Sequence, residues 1–133
     1  MIIQWYVGFV GDFPERKARW FDVLTKKGFR HVLAIGYDPI HRVWIYYDPN
    51  IFSTNIQVFD PDDEELNSLI YFVKTSGAWL RVKPRIHACL FGRWRHYCVP
   101  AIKHLVGSPS SALTPYGFYR DLIREGAKPA FEV

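Results

Sequence analysis

Four times along this chain a proline opens an apolar stretch of helical spacing and a glycine closes it. Asp12-Phe13-Pro14-Glu15 leads into a segment that ends at Gly28, and Asp60-Pro61 into one that ends at Gly77. Pro100 opens a third that ends at Gly107, and Thr114-Pro115 a fourth that ends at Gly126. Proline is tolerated in the first turn of a helix, where its missing N–H costs nothing, and glycine readily takes the backbone that stops one. The spacing predicts inward faces of Trp20, Phe21 and Leu24 in the first helix and Leu66, Leu69, Ile70 and Val73 in the second. It predicts Val99, Ile102, Leu105 and Val106 for the third, and Tyr116, Tyr119, Leu122 and Ile123 for the fourth.

The stretches between are β-rich. Ile2 to Val10 reads as a buried strand, and RHVLAIGY and RVWIYYD read as a hairpin joined by the turn Asp38-Pro39-Ile40-His41. Asn55 to Phe59 is a further strand, and AWLRVKPRI another, with Pro84 pointing to a sheet edge. The class this predicts is α+β: a mostly antiparallel sheet with helices packed on it. No repeat, linker or low-complexity tract interrupts residues 1 to 133, so one domain is expected. Apolar content of 49% favours a packed core over a disordered adaptor.

The start, MIIQWYVGFV, is apolar but short and lacks a basic leader, so neither a signal peptide nor a membrane span is expected. Two cysteines make no disulfide framework. A net charge of +4 permits contact with nucleic acid or anionic glycan without demanding it.

One cysteine stands out by position. In RHYCVPAIKHLVG, Cys98 falls at or next to the N-cap of the third helix. The unpaired amides and positive dipole end there favour a thiolate, which suits a nucleophile. The hairpin supplies partners. With Asp38 to His41 as its four turn residues, Ile35 faces Trp44, Leu33 faces Tyr46 and His31 faces Asp48. Opposed residues share a sheet face, so an imidazole lies beside a carboxylate, and a slip of one residue would separate them. The candidate catalytic set is Cys98 as nucleophile, His31 as base and Asp48 as the group that orients His31.

The order of a histidine at a strand start, a polar residue on the next strand and a later cysteine opening a helix resembles the circularly permuted papain-like hydrolases of the NlpC type. That group includes the lecithin retinol acyltransferase family. Its histidine strand is similar to His31-Val32-Leu33-Ala34-Ile35, and its cysteine helix to Tyr97-Cys98-Val99-Pro100-Ala101-Ile102. The tail also resembles small phage and proteobacterial proteins with the pattern C-V-x-x-x-K-x-x-x-G … T-P-x-x-x-Y-R-x-L. Here that pattern falls on Cys98, Val99, Lys103, Gly107, Thr114, Pro115, Tyr119, Arg120 and Leu122. The resemblance implies a papain-like fold, a cysteine peptidase or amidase needing no cofactor, and a peptide, peptidoglycan or acyl substrate. It also implies a phage or bacterial setting, cytoplasmic or virion-associated, with virion assembly as an alternative role for the fold.

Two other readings compete. His87-Ala-Cys89 and His96-Tyr-Cys98 are two H-x-C pairs that can supply a Cys₂His₂ zinc site. The stretch from Arg81 to His96 interleaves basic residues with Trp and Phe, a pattern suited to phosphate contacts with stacking. On that reading the domain is a binding module, and the plainer account of the same charges is a protected edge strand.

Overall fold

The computed structural model describes residues 4–11, 29–50, 53–85 and 97–130. The helix expected between Asp12 and Gly28 lies outside them, as do His87, Cys89 and His96 of the zinc reading. The described elements run in the order β1 (Trp5–Val10), β2 (His31–Asp38), β3 (Val43–Pro49), β4 (Thr54–Phe59), α1 (Glu64–Ser76), β5 (Gly77–Val82), α2 (Cys98–Val106), α3 (Pro115–Arg124) and β6 (Lys128–Pro129). They form an α+β fold. Its sheet has six antiparallel strands in the order β4-β3-β2-β1-β5-β6.

Strand alternation divides the core between the two faces of this sheet. On one face Val7, Phe9, Val32, Ala34 and Leu80 pack with Val99, Ile102 and Val106 of α2 and Phe118 and Leu122 of α3. On the other, Val10, Leu33, Ile35, Tyr46 and Trp79 pack with Leu66 of α1. β1 is central, paired with β2 on one side and β5 on the other, and it reads as a nearly continuous apolar run. No described helix is long and apolar enough to cross a membrane.

Several local expectations need correction. α1 is capped by Asp63, whose side chain accepts from the Glu65 N–H, and the Asp60 carbonyl accepts from Asp63 N–H in the turn before it. The first free helical amides thus sit three residues later than the Asp60-Pro61 signal indicated. β5 is not an edge, because Leu80 and Arg81 pair with Pro129 and Lys128 of β6, and Pro84 lies beyond the strand's end. In α3 the inward residues are Phe118 and Leu122, with Tyr119 edge-on to Phe9 at 5.3 Å, while Ile123 is exposed. A helix ten residues long has one narrow stripe to bury, and Phe118 fills it.

α2 ends as its sequence predicts. Gly107 takes a left-handed backbone (φ 70°), and its N–H donates to the Lys103 carbonyl. A methyl group there would approach the Arg85 carbonyl oxygen to 2.2 Å, so the helix end lies directly against the chain leaving β5. Gly126 also has a positive φ, of 102°, but nothing lies within 4 Å of where its Cβ would be. Gly107→Ala should therefore cost about 2–3 kcal/mol in urea unfolding, and Gly126→Ala only the backbone strain of about 1 kcal/mol. Equal losses for the two would show that the contact with Arg85 carries no weight.

Candidate active site

The hairpin closes differently from the sequence expectation. Asp38 pairs with Val43, and the loop is Pro39 to Arg42, with Arg42 in the left-handed region (φ 55°). Asp38 caps this loop: its Oδ1 accepts from the Ile40 N–H at 3.0 Å, and Oδ2 accepts from the His41 ring at 2.6 Å. These hydrogen bonds, the His41 one foremost, hold the Asp38 carboxyl well below the usual carboxylate range.

The ladder consequently places Ile35 opposite Tyr46, and Tyr37 opposite Trp44. The register is shifted by two residues from the expected one. An even shift leaves every side chain on its face, so His31 and Asp48 remain on one side of the sheet as diagonal neighbours instead of directly opposed ones. Diagonal pairs are within reach of longer side chains. The structure closes that gap: His31 Nε2 and Asp48 Oδ1 are 2.5 Å apart. A carboxylate only accepts, so Nε2–H is the donor.

Tyr46, two residues before Asp48, donates its hydroxyl to the second carboxylate oxygen, Oδ2, at 3.1 Å. Burial, reinforced by the Asp48 charge and this hydrogen bond, pushes the Tyr46 phenol far above its ordinary range. It is a fixed donor. Sequence reading missed its role, although the strand's alternation puts Tyr46 and Asp48 on one face, which was the available signal.

Cys98 is the first residue of α2. Its N-cap is Tyr97, in extended conformation and without a side-chain cap. The Tyr97 hydroxyl instead donates to the Leu113 carbonyl at 2.8 Å, tying the helix start to the loop before α3. Cys98 belongs to the core cluster under α2, and only 8% of it is exposed. His31 begins β2 just as Cys98 begins α2, and the two meet at that end of the sheet, where the thiol hydrogen-bonds the imidazole.

Burial alone would drive His31 toward the neutral form. Its hydrogen bonds to Asp48 and Cys98, with the charges of both, outweigh that and raise it from 6.5 to about 9. All three predicted site residues are thus brought together, joined by Tyr46. Among the described residues no cluster of three or more His, Cys, Asp or Glu side chains is arranged to hold a metal. No family model, curated protein or solved structure matches the chain.

The raised His31 has a consequence for stability. Folding favours its protonated form, so the contribution is fully present below about pH 6.5 and is lost as pH rises through about 9. Chemical denaturation should report a loss of up to about 3 kcal/mol across that window. In Asp48→Asn, which lacks the carboxylate charge, the loss should be clearly smaller. An identical pH slope in the two proteins would show that Asp48 does not hold the imidazolium.

Proposed function

We propose that this protein is a cysteine hydrolase of the amidase or peptidase type, built as a permuted papain-like domain. The supporting observation is a connected chain of groups: Tyr46 to Asp48, Asp48 to His31, and His31 to a cysteine in the first position of a helix. Each link has a chemical task. Asp48 orients the ring through Nε2 and balances its positive charge, and Tyr46 holds Asp48. Nδ1 then exchanges the proton with sulfur.

The Cys98 thiolate attacks the acyl carbon and forms a carbon–sulfur bond, and the carbonyl electron pair moves to oxygen. His31 gives its proton to the leaving nitrogen as the carbon–nitrogen bond breaks. It next takes a proton from water, whose oxygen attacks the thioester, and Cys98 leaves as thiolate. The Cys98 backbone N–H belongs to the first turn, whose amides the helix does not itself satisfy, and it can stabilise the oxyanion. The antiparallel sheet, with the histidine strand beside the carboxylate strand and the cysteine helix across one face, fits the resemblance noted in the sequence.

A second reading, a non-catalytic binding module on the same fold, makes no use of this chain of groups. Thiol chemistry separates the two. Cys98 should be alkylated readily by iodoacetamide, as a nucleophile beside His31 requires. The reaction should slow in His31→Ala, with alkylation mapped to Cys98 by mass spectrometry. On acyl esters, peptides and peptidoglycan fragments, Cys98→Ala should abolish turnover. Asp48→Asn should reduce it by several orders of magnitude, on the scale of about 10⁴ seen when a triad carboxylate becomes an amide. Alkylation unchanged in His31→Ala, with no difference between wild type and Cys98→Ala on any substrate class, would leave the binding module as the better reading.

A further inference from the structure

The opposite end of the sheet from Cys98 carries a second constructed surface. His31 stands opposite Val10 at one end of β1, whereas Trp5 at the other end stands between Gly36 and Val82. There an open groove of about 560 Å³ is lined by Gln4, Arg81, Lys83, Arg85, Glu125 and Lys128, among others. Arg81 lies near the end of β5, and Lys83 and Arg85 follow at alternate positions in the chain leaving it; all three are exposed, with Val82 buried between the first two. Two residues of extended chain span roughly 6.6 Å, a step of the same order as that between successive phosphates on an extended single strand.

Among the described residues only one of these cations is paired. Arg85 pairs with Glu125 at 3.2 Å, and Ser108 donates to both oxygens of the same carboxylate. Arg81, Lys83 and Lys128 have no acidic partner among the described residues. Arg81 and Lys128 are moreover direct cross-strand partners. Like charges in that position destabilise a sheet, so their pairing breaks a local rule with no structural return.

Arg81 also lines a neighbouring hollow of about 230 Å³, whose other walls include Tyr6, Trp44, Trp79 and Lys74. Tyr6 and Trp44 are half-buried, with ring centroids 6.1 Å apart and planes inclined at 40°. A row of cations that leads into an aromatic hollow combines backbone neutralisation with base stacking. We infer that this end of the sheet binds single-stranded nucleic acid, with phosphates along Arg81, Lys83 and Lys128 and a base against Tyr6 and Trp44. The contacts are to backbone and ring faces, so binding is nearly independent of sequence.

The site is separate from the Cys98 chemistry and stands whether or not that chemistry operates. The test is fluorescence anisotropy with a labelled oligothymidylate, with inorganic polyphosphate as a competitor. Wild type should bind with log–log salt dependence of slope about −2, as expected for three phosphate contacts on a single strand. Arg81→Glu/Lys83→Glu should weaken binding by roughly tenfold or more while leaving Cys98 alkylation unchanged. Lys128→Glu should weaken binding yet raise the melting temperature, because it turns a repulsive cross-strand pair into an attractive one. The oligonucleotide should quench tryptophan fluorescence and polyphosphate should not. Unchanged affinity in the charge variants would overturn the site. Equal binding of polyphosphate without quenching would overturn the nucleic-acid assignment by showing a bare anion groove.

Discussion

The register between β2 and β3 is the constraint on which the candidate site depends, and a turn sets it. Asp38 keeps its backbone in the ladder opposite Val43 while its carboxylate holds the Ile40 amide and the His41 ring. With the turn fixed, Ile35 must stand opposite Tyr46, and His31 and Asp48 come within diagonal reach on one face. Moving the register by a single residue would send His31 and Asp48 to opposite faces of the sheet. A surface turn outside the site therefore determines whether an imidazole meets a carboxylate.

Much of this was legible in the sequence, for reasons that differ between elements. The strands were readable because β1 and β2 are buried on both faces and carry continuous apolar runs, which turn residues bound cleanly. The face of His31 and Asp48 was readable because side-chain alternation survives any even error in register. The register itself was not, because the loop uses Arg42 at positive φ where a glycine or asparagine would have announced it. The α1 cap was misplaced because Asp60, Asp62 and Asp63 all precede the helix, and only the fold selects among them. The meeting of Cys98 with His31 joins elements 67 positions apart in sequence and had no local signal at all.

The residues of the tail pattern acquire separate physical reasons. Lys103 donates to the carbonyls of Ser110 and Ala112, at 3.1 and 2.8 Å, and so fastens the loop between α2 and α3. Gly107 allows the approach to Arg85, Thr114 caps α3 through the Gly117 amide, and Tyr119 packs on Phe9 and Phe29. Cys98, by contrast with these four, lacks a purely architectural explanation. A small apolar residue would fill its place in the core equally well, whereas the hydrogen bond to His31 requires sulfur or another polar atom.

α2 holds the proposed nucleophile in place from both of its ends. α2 is nine residues long, about 13 Å, and it lies against the sheet through Val99, Ile102 and Val106, all essentially without exposure. Its far end is fixed by Gly107 against Arg85, and its near end by the Tyr97 hydroxyl on Leu113. Close packing transmits displacement, so a change at either end moves the first residue of the helix relative to His31. A shift of about 1 Å is enough to cost a hundredfold in a reaction that depends on alignment. The apolar stripe of α2 is therefore as much a part of the proposed chemistry as the imidazole. It holds the sulfur at a fixed place on the sheet, and the hairpin turn brings the carboxylate to the histidine.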